Sequence, residues 1–410
     1  MSKQILIIDF VTPKRKNMLL AAKSIGLSIA LAAKTLSSEI AEYVDRFIEV
    51  DVEDTDALLR VLEQEHREKK FDGVISFWDR YVEPCALIAA RLGLPGNTPE
   101  TAAKTRSKFL TRLALAEKNV PQPRFRVVKT LSDLMEAAEH VKYPFIFKPV
   151  GACSSKGIFK VEYGQNLADV FDKMLKVSSN PDDKMFQFYA GEFLAEEYMR
   201  GHEFSVEGVA SFGVIHIAGV TEKWITPDNF TETQHLFPAR LGEAQRTAIV
   251  DVAIQALTAI DYRQGAFHVE LMNTAEGPKI VEINGRLGGD FITTHLVPLG
   301  LGIDISANSF LAALGEEVDL EKNFDKHAAV KFFIAETEGV LSEWAGEDAA
   351  SAAPGVKELF IERKEGAPVT LPPKRYGEFR LAAVIAQGED ADETLDKVAY
   401  AISLLKPVIV

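Results

Sequence analysis

The chain has 410 residues, 47% of them hydrophobic, and its 46 basic and 60 acidic side chains give a formal charge of −14. That length suits two to four globular domains, and an acidic chain without a basic block excludes nucleic acid and anionic membranes as partners, so an anionic ligand needs a local cluster of Lys and Arg. With Cys85 and Cys153 the only cysteines, no hydrophobic leader and no apolar run near about 18 residues, the expectation is a soluble cytoplasmic protein without disulfides or a cysteine-held zinc.

In chain order, "KQILIID" predicts a buried strand, Lys14 to Ile25 a helix closed by Gly26, and "SIALAA" a second strand. A helix over Thr55 to Lys69, a strand in "GVISF" and a helix ending near "LGLPG" follow. Strands alternating with helices predict a parallel α/β domain over residues 1–100, its sheet covered on both faces. No G-x-G-x-x-G follows the first strand, which argues against a dinucleotide site. Trp78, Asp79 and Arg80 close the third strand at its carboxyl end, where open α/β sheets bind ligands. Helices closed by prolines then lead into an α+β segment, giving a second expected domain over 101–195. A strand-rich domain is expected over 196–312, and an α+β extension over 313–410 with a strand in "EFRLAAVIAQG" and a helix from Ala391 to Leu404.

The stretch "KIVEINGRLGG" alternates apolar residues with Glu282, Asn284 and Arg286, so three polar groups share one face of a strand. Upstream, "GAFHVELM" alternates too, and "NTAEGP" between them is a turn signal. A hairpin symmetric about Glu276 places Glu270 opposite Glu282. Facing carboxylates destabilise a sheet, and a divalent cation such as Mg²⁺, which takes one or two carboxylates plus phosphate oxygens, compensates them. Asn284 adds a neutral oxygen, and Arg286 offers a two-pronged grip on phosphate or carboxylate. The plain alternative is a solvent-facing strand whose acids keep it soluble.

"YPFIFKPVGACSSKGIFKV" ends an apolar strand at Lys148, which Pro149 keeps extended into the loop Gly151 to Gly157. That loop carries Ser154, Ser155 and Lys156, and its amides suit phosphate oxygens, although it is not a Walker A motif and a surface turn reads much the same. In "FLAEEYMRGHEFSVEGV" two strand-like runs pair across "RGH", with Glu203, Ser205 and Glu207 on one face. Taken singly, Glu196, Glu197 and Glu203 read as surface acids, and Lys108 as a solvated lysine.

The order of these features resembles the ATP-grasp superfamily: a Lys on a helix, Lys-Pro ending a strand, a Gly/Ser loop, Glu-Glu-Tyr-Met before Gly-x-Glu, then H-x-E and E-I-N-x-R, over residues 90–310. The first block looks like the domain that precedes the ATP-grasp fold, and the tail is similar to the C-terminal domain of its biotin carboxylase-like branch. The resemblance implies ATP as substrate and Mg²⁺, two ions in all or Mn²⁺ in their place. By position it implies Lys108 and Lys148 on the phosphates, with Ser154, Ser155, Lys156 and Gly157 in a lid. Glu196, Glu197 and Met199 fall at the adenine, Glu203 on the ribose, Glu270, Glu282 and Asn284 on metal, and Arg286 on an acyl phosphate. One departure is Ser107, where the family commonly has an acid before the first Lys.

"TEKWITPDNFTETQHLFPARL" is loop-like, carries Trp224, Phe230 and Phe237, and sets Glu232 and His235 three apart. It resembles the substrate loop of L-amino-acid ligases, which implies Glu232 on the ammonium of a first amino acid and His235 on its carboxyl or in proton transfer. A polar loop held by its own network is the alternative. The expected activity is a carboxylate–amine ligase on small molecules, allowing a homodimer; a bicarbonate-using carboxylase and a nucleotide-binding regulator without catalysis are the other two readings.

Overall fold

The computed structural model describes residues 2–9, 16–153, 155–180, 183–372 and 377–410. Ser154 of the expected lid, and Lys14 and Arg15 at the start of the first expected helix, lie outside the described residues. Four parallel strands, β1 (Gln4–Ile8), β2 (Ser28–Ala33), β3 (Arg46–Glu49) and β4 (Gly73–Ile75), form a sheet in the order β3-β2-β1-β4. Helices Lys16–Ser24, Thr55–Glu68 and Val82–Leu92 accompany it; Asp54 caps the second, and Gly93 ends the third in the left-handed region, as the sequence signals require. Strand β3 has no counterpart among the expected strands, because its four residues hold only Phe47 and Ile48 as apolar side chains.

Two helices, Pro99–Arg106 and Lys108–Glu117, break at Ser107. The Ser107 hydroxyl accepts from the Leu110 amide at 3.3 Å, so it caps the second helix in the way an aspartate would. A small antiparallel sheet follows, built from β5 (Phe125–Val128), β6 (Phe145–Pro149), β7 (Phe159–Val161) and β8 (Phe193–Glu197) in the order β5-β8-β6-β7. Phe145, Phe147, Phe193 and Met174 fill its core beneath helices Leu131–Val141 and Leu167–Ser178.

The largest sheet is antiparallel and eight-stranded. It contains β9 (Gly201–Ser211), β10 (Val214–Ile225), β11 (Glu232–Phe237), β12 (Gly265–Thr274), β13 (Gly277–Asn284) and β14 (His327–Ile334). Beyond β15 (Gly339–Glu343) come β16 (Val356–Ile361), β17 (Pro368–Val369), β18 (Arg380–Gly388) and β19 (Val408–Ile409). The order is β13-β12-β9-β10-β11-β14-β18-β16, and β17-β15-β19 make a small separate sheet.

Two expectations change here. The runs on either side of "RGH" do not pair: β8 bonds to β5 and β6, β9 to β10 and β12, and residues 198–200 pass from one sheet to the next. The segment from Thr221 to Leu241 is not a loop, because β10 reaches Ile225 and β11 begins at Glu232, leaving 226–231 as the turn. Its polar residues obscure the strands, since they pack against one another inside the sheet rather than alternating with solvent.

Candidate active site

Lys148 on β6 and Glu196 on β8 are diagonal neighbours, Lys148 pairing with Leu194 and Glu196 with Ile146, and the Lys148 Nζ lies 2.6 Å from the carboxylate. Arg112 holds the other Glu196 oxygen at 2.7 Å and donates to the Val281 carbonyl at 2.8 Å. All three side chains are buried. Burial alone raises the Glu196 carboxyl, but Arg112 and Lys148 overcome it and hold the group down at about 2. Burial brings Lys148 below its ordinary value, with Arg112 and Lys108 adding to the effect against Glu196. Lys108 contacts Glu282 at 2.9 Å and donates to the Ala152 carbonyl at 2.5 Å. Three cations therefore share two carboxylates at this end, a surplus of positive charge that suits phosphate.

The loop over these lysines is held from three sides. A Cβ on Gly151 would meet the Phe188 carbonyl at 2.3 Å, Lys156 pairs with Asp183 at 2.6 Å, and the Ser155 hydroxyl donates to the Phe230 carbonyl at 2.9 Å. Gly157 lies at φ +70, a conformation that favours glycine. Of the expected adenine group, Glu196 has its carboxylate committed to two cations, so its backbone is what it can offer a base. Glu197 turns to Arg124 at 3.2 Å, and Met199 is half-buried in the passage between sheets.

In the β12–β13 hairpin Glu270 sits opposite Glu282 and His268 opposite Asn284. The turn is not symmetric about Glu276, because Thr274 pairs with Gly277; a bulge beyond Glu270 inserts Val281 and restores the pairing. The extra residue also sends Ile280 and Ile283 together into the core while Glu282 faces Lys108, and it frees the carbonyl that Arg112 takes. Burial raises Glu270, yet Lys223 and His268 bring it well below the usual range. His268 bridges Glu270 at 2.9 Å and the fully buried Glu207 at 2.9 Å; burial lowers it, but these carboxylates bring it up to about 9. Arg286 donates to Asp79 at 2.9 Å, so the tip of the "GVISFWDR" segment reaches the site.

Lys223 is a site residue that the sequence pattern does not single out. Its ammonium, buried on β10, contacts Glu203 at 2.8 Å, Glu232 at 2.8 Å and Glu270 at 3.1 Å. A bulge at Ala218 turns the outer half of β10 so that Thr221 reaches Glu207 at 3.2 Å and Lys223 points into the acids. Burial lowers the ammonium, but the three carboxylates hold it well above its ordinary value. Glu232, His235 and Asp290 bring ligand atoms within 4.8 Å of one another. Here five carboxylates (Glu203, Glu207, Glu232, Glu270 and Asp290) meet Lys223, His268 and Arg380, the last shared with Glu362. This end carries surplus negative charge, and the hard oxygen donors Glu270, Glu282 and Asn284 fit Mg²⁺ or Mn²⁺.

Comparison with known proteins gives the family. An ATP-grasp domain model matches residues 141–295, an ATP-grasp N-terminal domain model 19–96, and the model of L-amino acid ligase C-terminal domain 2 matches 331–410. The chain is an ATP-grasp ligase. It is 28% identical over 392 residues to protein y4rH of Sinorhizobium fredii, covering 94% of this chain and 79% of that one. Carnosine synthase 1 of Mus musculus is 27% identical over 329 residues, 76% of this chain, so this ATP-grasp ligase spans only 40% of that relative. A crystal structure of an L-amino acid ligase from Bacillus licheniformis shares the fold with a TM-score of 0.85 at 23% identity, over 100% of this chain and 99% of that one. Among the described residues no single helix is long and apolar enough to cross a membrane.

Proposed function

We propose that this ATP-grasp ligase activates the carboxylate of an L-amino acid as an acyl phosphate and joins it to the amine of a second amino acid, giving a dipeptide, ADP and phosphate. The observation that carries this reading is Glu232 beside the buried His235 and Asp290 at the acid-rich end, joined through Lys223 to Glu270. A carboxylate oxygen of the first substrate attacks the γ-phosphorus and the bond to the β-bridging oxygen breaks, releasing ADP. The amine nitrogen of the second substrate then attacks the acyl carbon, the bond to phosphate breaks, and the nitrogen loses a proton.

Lys108 and Lys148 bind the phosphates, Ser155, Lys156 and Gly157 close over them, and Glu203 takes the ribose. Arg286, aligned by Asp79, holds the acyl phosphate. Glu270, Glu282 and Asn284 are the residues to hold Mg²⁺, which supplies charge neutralisation for phosphoryl transfer when bound. Glu232 holds the ammonium of the first amino acid; His235, expected on its carboxyl or in proton transfer, lies with Glu232 and Asp290 and in this reading faces the ammonium instead. Moving a phosphoryl group between two anions needs alignment and charge compensation above all, and a site positive at one end and negative at the other provides both.

The test is phosphate release from ATP and Mg²⁺ across pairs of amino acids, with bicarbonate as a separate arm and mass spectrometry for the product. Release that depends on both amino acids, with a new amide, is expected; bicarbonate dependence or silence on every pair overturns the reading. Glu232→Ala is expected to abolish dipeptide formation with ATP affinity unchanged, and unchanged yield would remove Glu232 from this role.

A further inference from the structure

Asp290 follows the Gly288–Gly289 pair that leads out of the strand carrying Glu282 and Asn284. It lies at φ +47 and Phe291 after it at φ +66, two successive left-handed residues with a Cβ, a conformation that costs free energy and recurs at functional sites. Its Oδ1 accepts from Arg380 Nη1 at 2.8 Å, and its Oδ2 lies 3.7 Å from His235 Nε2. His235 is fully buried, and neither ring nitrogen has a hydrogen-bond partner among the described residues. Glu232 completes the group, with Lys223 on one of its oxygens at 2.8 Å.

We infer that Asp290 joins Glu232 in gripping the ammonium of the amino acid whose carboxylate is activated, and that Arg380 is the positioning residue that holds Asp290 in place. This rests on the amino-acid ligase reading above. An ammonium has three N–H donors and no acceptor, and the group offers three acceptors: a carboxylate oxygen from each acid and an imidazole nitrogen. Burial and the charge of Asp290 raise the Glu232 carboxyl against Lys223, while Arg380 holds Asp290 well below the usual range against burial. Two acids this close call for a cation between them. Arg380 does not depend on Asp290 for its own place, because Glu362 accepts from its Nε at 2.8 Å and its guanidinium lies 4.1 Å from the centre of the Phe332 ring.

The experiment compares kcat/KM for the amino acid found in the phosphate-release screen with that for the same acid lacking its amino group (propionate for alanine), at saturating ATP, Mg²⁺ and acceptor. Asp290→Asn is expected to lower this discrimination about ten-fold or more, the scale of one charge-assisted hydrogen bond, with KM for ATP unchanged. Arg380→Lys, which keeps the charge and loses the fork, is expected to move the ratio the same way, and it carries the test if Asp290→Asn does not fold. An unchanged ratio, or equal losses on both substrates, overturns the inference. So does one fewer bound Mn²⁺ in Asp290→Asn by equilibrium dialysis, which would make the group a metal site. If the wild type accepts no amino acid, or does not discriminate, the functional reading has failed instead.

Discussion

Glu196 holds two buried cations with one carboxylate, Lys148 at 2.6 Å and Arg112 at 2.7 Å, and its own acidity follows from that. Its folded value of about 2 lies below the ordinary 4.5, so the stability it contributes is fully present above pH 4.5 and is lost as pH falls through about 2. Glu196→Gln leaves the two cations facing each other and is expected to cost about 3–5 kcal/mol at neutral pH. The gap between wild type and variant in urea unfolding should narrow between pH 4.5 and pH 2. A gap that stays constant through that window would show that the carboxylate's charge is not what stabilises this corner. Lys223 makes the opposite point about legibility. In "VTEKWI" it looks like any strand-edge lysine, and only the fold brings Glu203, Glu232 and Glu270, far apart in sequence, to its ammonium.

Bulges aim the side chains at the level of the strands. The one at Ala218 lets Gly219 lie beneath the Phe237 ring, where a Cβ would meet ring carbons at 2.6 and 2.7 Å. Phe237 is fully buried and has no room to withdraw, so Gly219→Ala is expected to cost about 1–3 kcal/mol by overpacking. It should also weaken the proposed dipeptide formation, through the displaced Lys223. A urea midpoint equal to that of wild type would show that the ring moves aside freely. The alternation of the β12–β13 hairpin is legible because polar residues at every second position cannot all face a core, and Glu270 does lie opposite Glu282. The bulge is not legible, because Val281 suits a regular strand as well as it suits a bulge. Strands β10 and β11 are hidden for a related reason: Lys223, Glu232 and His235 lie against other polar groups inside the sheet, so their segment reads as polar loop while lying in a covered strand pair.

The first and last domains meet in one core. Val330, Phe332, Ala383 and Ile385 from the C-terminal strands pack in the same cluster as Ile5, Leu31 and Phe77 from the first domain. Strand β14 covers the edge of β11 from Gln234 to Phe237, and β18 and β16 extend the sheet beyond it. Removing residues 327–410 would therefore expose the edge of the strand that carries Glu232 and His235, and strip the apolar face it shares with the N-terminal sheet. It would also take away Arg380, leaving Asp290 without its partner at 2.8 Å. A chain ending at Lys326 is expected to bind a hydrophobic dye, associate in gel filtration and melt without a cooperative transition, even though its ATP-grasp segment is intact. Cooperative melting of a monodisperse truncated chain would show instead that the C-terminal strands are an appendage, and that the substrate end of the site stands without them.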